Sequence, residues 1–211
     1  MLIEEVQVAR STELSEMVEI VVLLKQVPDT NAKIIVSGDR VDESAVNKWS
    51  MSPYDEYALE QALQHKESAG GKVTAITLGP ARAEKMLKDA AAVGADDLVR
   101  LWEDDWGDLD SNQVQQTLAA AVSRVGAEVI YCGKESADNN QGSTGPGVAE
   151  RIGAACVVQV SEIGFEGDSI LALRPAAGGN ERVLVSAPAV LTCDKTTNEP
   201  RRPNVKGIMM A

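Results

Sequence analysis

The chain has 211 residues, 44% of them hydrophobic and only 3% aromatic, and a formal net charge of −12. That length allows one large domain or two small ones around a substantial core, built here from Val, Leu, Ile and Ala. The acidic balance speaks against a nucleic-acid binder, which needs Lys and Arg for phosphates. No apolar run is long enough to cross a bilayer, so membrane insertion is not expected.

Residues 1–17 carry Glu4, Glu5, Glu13 and Glu16 against Arg10. They lack the basic start and apolar core of a signal peptide, so they are expected to form an N-terminal extension, and the protein is expected in the cytoplasm. A continuously apolar strand follows over 19–24 (EIVVLL), as suits a strand covered on both faces. Pro28 in the turn Lys25–Thr30 cannot extend a central ladder. Lys33–Val36 and Arg40–Val41 suggest a small peripheral hairpin. Ser52-Pro53-Tyr54-Asp55 is a helix start, with Ser52 as cap, Pro53 at the first helical position and Asp55 completing a capping-box-like pair. Ala58, Leu59, Ala62 and Leu63 mark its inner face, and Gly70-Gly71 ends it.

Strand 72–78, a helix from Gly79-Pro80 to Gly94, strand 98–101, helix 111–125 and strand 129–132 then alternate. This spacing predicts an α/β fold, a Rossmann-like doubly wound parallel sheet with helices on both faces. Beyond Gly153, short strands over 157–163, 170–173 and 183–185 suggest antiparallel additions at one sheet edge, and 189–193 reads as a last buried strand. The nucleotide-binding α/β domain is expected to span 18–193. The tail, 194–211, shows no clear helical period. Cys132, Cys156 and Cys193 lack CxxC spacing and read as buried small hydrophobes. His65 is expected at the surface, and the acidic pairs Asp96-Asp97 and Asp104-Asp105 in solvated loops.

The stretch 128–153 (EVIYCGKESADNNQGSTGPGVAERIG) organises the rest. A strand breaks at Gly133 and a polar loop feeds a helix beginning near Gly147. Free N–H groups and a helix dipole at such a point favour an anion, most often phosphate. Asp138, Asn139, Asn140, Gln141, Ser143 and Thr144 add hydrogen-bonding side chains. Four segments (25–30, the residues before Ser52, 78–80 and 133–144) leave strand C-terminal ends and are expected to converge on one crevice. There is no G-x-G-x-x-G after the first strand, no P-loop, no G-x-S-x-G and no Ser-His-Asp set. Binding without bond-breaking catalysis is the economical reading.

The segments VVLLKQVPDT, MSPYDEYALEQAL, TLGPARAEKMLKDAAAVGAD, GKESADNNQGSTGPGVAERIG and NEPRRPNVKGIM, in this order, resemble the beta subunit of electron transfer flavoprotein. The resemblance covers nearly everything from Val18 onward. It implies an electron carrier that pairs with an alpha subunit, completes an FAD site lying mainly on alpha, and holds a structural AMP. Electrons would enter from an acyl-CoA or related dehydrogenase and leave to a quinone-linked acceptor. Carried over by motif, the AMP site takes Leu23, Ser52, Pro53, Tyr54, Asp55, Leu78, Gly133, Lys134, Asp138, Asn139, Asn140, Gln141, Gly142, Ser143 and Thr144. The phosphate would lie nearest Asp138, Gly142, Ser143 and Thr144. Arg201, Arg202, Val205, Lys206, Ile208 and Met209 resemble the family's recognition loop, with Val205 as the apolar anchor.

Three departures stand out. Ser52 replaces a frequent Asn. The loop 138–146 is intermediate between AMP-binding members and those that bifurcate electrons with a second FAD; Thr144 leans to AMP, whereas Pro146 and the KQVPDT turn lean to FAD. The family continues into a C-terminal arm around alpha, whereas this sequence ends at Ala211, so that contact is expected to be shortened or supplied differently. The reading from another class is a homodimeric, ATP-binding sensor of the universal-stress type, disfavoured by the missing G-x-x-G-x(9)-G-[ST] loop.

Overall fold

The structure, a computed structural model, describes residues 18–104, 106, 109–167 and 169–210. The expected N-terminal extension lies outside them. In chain order, β1 (Glu19–Leu23), β2 (Gln26–Pro28), β3 (Val36–Ser37), β4 (Arg40–Val41) and β5 (Trp49–Met51) lead into α1 (Pro53–Ala69). Then come β6 (Lys72–Leu78), α2 (Glu84–Val93), β7 (Asp97–Leu101), α3 (Ser111–Val125), β8 (Val129–Gly133) and α4 (Thr144–Ile152). The chain finishes with β9 (Ala155–Val160), β10 (Glu162–Glu166), β11 (Ser169–Ala176), β12 (Gly179–Ser186), β13 (Ala189–Cys193) and α5 (Val205–Met210).

Six strands form a parallel sheet in the order β7-β6-β1-β8-β13-β9. Alternate residues of β1 serve different layers, which is why the run is apolar throughout. Ile20 and Val22 pack with α1 and α2 through Ala58, Leu59, Ala62, Leu63, Met86 and Leu87. Val21 and Leu23 pack with α3 and α4 through Leu118, Val122, Val148 and Ala149. Strand order reverses between β1 and β8, so the sheet is doubly wound with its switch point there.

Local signals set the helix ends. Asp110 and Gln113 form a reciprocal capping box at the start of α3, and Gly126 closes that helix at φ +77°, where only glycine is unstrained. α4 begins at Thr144, earlier than expected, and packs so closely on the sheet that a Cβ on Gly145 would lie 2.7 Å from Thr192 and 2.8 Å from Cys132.

Five expectations are corrected. The apolar run over 157–163 is not one strand. It breaks at Ser161, where Gln159 adopts φ +56° and its N–H turns to Thr192 Oγ1, 2.9 Å away. β9 stays in the parallel sheet, whereas β10, β11 and β12 form a separate three-stranded antiparallel sheet. His65 is 4% exposed, not at the surface, and bonds Tyr131 Oη at 3.0 Å against the Phe165 ring. Burial there drives its pKa down to about 4. Cys156 lies exposed on β9, while Cys132 and Cys193 are buried. The tail does hold a helix, α5, whose Gly207 N–H is received by Asn204 Oδ1 at 2.8 Å. Asp96 is not merely solvated: it accepts the Val73 N–H at 2.8 Å and pairs with Lys66. Among the described residues no helix is long and apolar enough to cross a membrane.

Candidate functional site

A cleft of about 940 Å³ opens at the carboxyl ends of β1, β6, β7 and β8, the region where an open α/β sheet binds ligands. All four expected segments line it: Lys25, Gln26 and Pro28 after β1; Trp49 before α1; Leu78, Gly79 and Pro80 after β6; and Gly133 to Thr144 after β8. A second concavity, between α3 and α4, is open to solvent, and its Arg151 is engaged by Gln115, Asn112 and the Gly147 carbonyl.

Asp55 ties the cleft together. Its carboxylate, 6% exposed, accepts the Lys25 N–H at 2.7 Å and the Gly133 N–H at 2.9 Å, bridging the ends of the two strands that flank the switch point. It is therefore no capping partner within α1; its hydrogen bonds go to the sheet. Burial pushes its pKa up to about 7, against the pull of the two N–H donors and Lys25. Gly133 has to be glycine here, because a Cβ would lie 2.5 Å from Asp55 Oδ1 and 2.7 Å from Tyr54 Cβ.

Ser52 sits at the N-cap position but its hydroxyl does not cap α1. It is fully buried and receives the Ala137 N–H at 3.3 Å, tying the loop after β8 to the start of α1. Lys25 reaches across to the same loop, with Nζ 2.7 Å from Asp138 Oδ2 and 3.3 Å from Ser136 Oγ. Burial raises the Asp138 pKa, but the bonds from Lys25 and Ser136 outweigh this and leave it below the ordinary aspartate value. Lys134 pairs with Asp194 at 3.2 Å and lies 4.8 Å from the Tyr54 ring centre. Asn140 and Gly142 both take positive φ, 50° and 62°, so the loop curls back before α4. Gln141 Oε1 accepts the Ser111 hydroxyl at 2.6 Å.

Of the residues singled out from sequence, Leu23, Asp55, Leu78, Gly133, Lys134, Asp138, Asn139, Gln141, Gly142 and Thr144 line the cleft. Ser52, Pro53, Tyr54, Asn140 and Ser143 stand behind it. Sequence reasoning placed Lys25 and Ser136 in the converging segments without singling them out, and it missed the opposite wall, where the Arg82 guanidinium stacks 3.9 Å over Trp49 and pairs with Glu43 at 3.1 Å. Trp102 and Trp106 border the same cleft. Gln26 Oε1 and Arg82 Nε are buried there without a partner among the described residues, an acceptor and a donor of the kind a heterocycle edge would meet.

The C-terminal segment is built differently. Val205, Ile208 and Met209 are 75%, 60% and 82% exposed, and Arg202 is exposed beside them. Arg201, expected to face a partner, turns inward instead onto Glu60 and Glu67 of α1. The Lys206 side chain lies outside the described set.

The electron transfer flavoprotein domain matches residues 41–211. The chain is 35% identical over 195 residues to electron transfer flavoprotein subunit beta of Thermoanaerobacterium thermosaccharolyticum, covering 91% of this chain and 74% of that protein. The chain belongs to the electron transfer flavoprotein beta-subunit family. Other members of this family carry names tied to CoA-ester chemistry. Acryloyl-CoA reductase electron transfer subunit gamma of Anaerotignum propionicum is 35% identical over 90% of this chain and 73% of its own length. Caffeyl-CoA reductase-Etf complex subunit CarD of Acetobacterium woodii is 34% identical over 91% and 74%. The parallel sheet with its helices matches the doubly wound fold expected from the spacing of strands and helices.

Proposed function

We propose that this chain is the non-catalytic subunit of a heterodimeric electron carrier. It holds AMP in the switch-point cleft and completes, with an alpha subunit, the site of a shared FAD. The observation that carries the reading is the cleft itself: four strand-end segments enclose it, and the loop 133–144 delivers its chain to the first turn of α4. Among the wall cations, Lys25, Arg82 and Lys134 are each engaged by a carboxylate. A phosphate would therefore draw on the backbone N–H groups and dipole of α4, beside Gly142, Ser143 and Thr144. Asp138, Asn139 and Gln141 would hold the ribose side, while Leu23 and Leu78 supply apolar walls. FAD, when bound, supplies all the redox chemistry; AMP supplies none.

Electrons would come from an acyl-CoA or related dehydrogenase, in keeping with the CoA-ester reductase names of two relatives, and pass to a quinone-linked acceptor. The C-terminal display of Val205, Ile208 and Met209 suits the docking contact, as a small apolar hot spot with Arg202 at its rim. A second reading places FAD in the cleft instead of AMP, as in bifurcating members. The volume of about 940 Å³ favours it, since it is ample for more than a mononucleotide, as do the buried Gln26 Oε1 and Arg82 Nε, without a partner among the described residues.

The test is to purify the chain with its partner subunit, denature the complex and identify the released nucleotides. One FAD with one AMP supports simple transfer, and two FAD supports the second reading. A complex that releases no adenine nucleotide from this chain overturns both.

A further inference from the structure

The docking reading leaves open how a six-residue helix at the chain's end holds its apolar side chains in place. Two contacts help to seat α5 and the segment that leads into it. At one, Gly207 lies so close to the Ala92 carbonyl of α2 that no Cβ could fit. At the other, Arg201 is clamped to α1. Its backbone N–H and Nε reach Glu60 Oε2 at 3.1 and 2.7 Å, and one terminal nitrogen reaches Glu60 Oε1 and Glu67 Oε2, each at 3.0 Å. The other terminal nitrogen meets Glu67 Oε1. Glu60 and Glu67 lie two turns apart on one helix face, and only a planar fork can span both.

At Glu60 this is no surface ion pair. Glu60 is 5% exposed and braced by Gln64 Nε2 at 2.8 Å. Just upstream, Asn198 Nδ2 bonds the Tyr57 carbonyl at 2.9 Å, so the chain runs along α1 before it leaves. Burial raises the Glu60 pKa, but Arg201 and Gln64 outweigh this and hold it below the ordinary glutamate value. Residues 202–204 between the two seats are exposed.

We propose that Arg201 is the positioning residue of the docking surface: its fork on Glu60 and Glu67 sets where Val205, Ile208 and Met209 are presented to an electron-donating dehydrogenase. The inference rests on the docking reading above and adds to it a residue that does not itself touch the partner. An apolar anchor works only when delivered to its pocket in register, so loosening one seat weakens docking while leaving electron transfer within the docked pair unchanged.

The experiment uses the complex with its flavin-carrying partner, and an acyl-CoA dehydrogenase reduced with butyryl-CoA as the donor. Arg201→Met is expected to raise the KM for the carrier on the order of tenfold with kcat within about twofold. Flavin content stays as in the wild type, and backbone exchange over 205–210 quickens about tenfold. Arg201→Lys keeps the charge but not the fork, and is expected to resemble Arg201→Met; recovery by Lys overturns the fork. Glu67→Gln, at an exposed position that does not threaten folding, is expected to give a smaller rise in KM. An unchanged KM in Arg201→Met or Glu67→Gln, or a fall in kcat alone, overturns the proposal. A wild-type complex that the reduced dehydrogenase does not reduce overturns the docking reading itself, a different failure.

Discussion

The two ends of α1 do opposite work by different means. At its N-terminal end, Asp55 and Ser52 accept backbone N–H groups from Lys25, Gly133 and Ala137, segments 30, 78 and 85 residues away. Further along, Glu60 and Glu67 hold a single side chain, Arg201. The first arrangement shapes a cavity, because backbone donors cannot move without moving strands. The second presents a surface, because a side-chain fork holds an otherwise exposed segment in place. One rigid helix thus serves a closed site and an open one, and the kind of hydrogen-bond partner decides which.

The sharpest way to break this comparison is through pH. Asp55 has a folded pKa of about 7 against an unfolded value near 3.8. The folded state therefore holds a proton that the unfolded state has released, and stability falls as pH rises from about 4 to 7. The full span corresponds to about 4 kcal/mol as an upper bound. Asp55→Asn removes this titration, so chemical denaturation between pH 5 and 8 should show a difference from wild type that shrinks or reverses as pH rises. A constant difference would mean that the carboxyl is not buried as described.

His65, on the same helix, acts in the opposite direction. Its folded pKa of about 4 lies below 6.5, so the unfolded state binds the extra proton and stability rises from pH 4 to 6.5. The span is about 3 kcal/mol. The two residues thus partly cancel in the wild type. His65→Gln should expose the downward slope of Asp55, measured in the same series of denaturation curves.

Gly133→Ala comes next. The added methyl meets Asp55 and the Tyr54 backbone, neither of which can retreat, at a cost of about 1–3 kcal/mol. Loss of nucleotide from the purified complex is the expected companion. Lys25→Met should be the mildest in stability, under about 1 kcal/mol, because its pair with Asp138 is partly exposed. If the cleft holds a nucleotide as proposed, the off-rate of that nucleotide should rise, through a looser loop.

Much of this was legible in the sequence because the signals are local. The limits of α3 follow from Asp110, Gln113 and Gly126, all within or beside the helix. The strands β1, β6, β7 and β8 of the parallel sheet follow from apolar runs at βαβ spacing. What stayed hidden depends on distant partners. Asp55 looks like a capping residue from its neighbours alone, and only the Gly133 N–H, 78 positions on, gives its role. Arg201 reads as a docking residue until α1 folds beneath it. The break at Ser161 was masked because apolar character continues while the chain changes sheets. α5 has fewer than two turns, too few to show a period. The cleft's position was readable from strand ends; its Trp49 and Arg82 wall was not, since stacking across 33 residues leaves no pattern in the chain.

The scarcity of aromatic residues gives the cleft a property of its own. The chain has three tryptophans, and Trp49, Trp102 and Trp106 all border this one cavity. Intrinsic indole emission therefore reports on the cleft and on little else. Its wavelength and quenching become a label-free optical gauge of what enters, with no engineered probe.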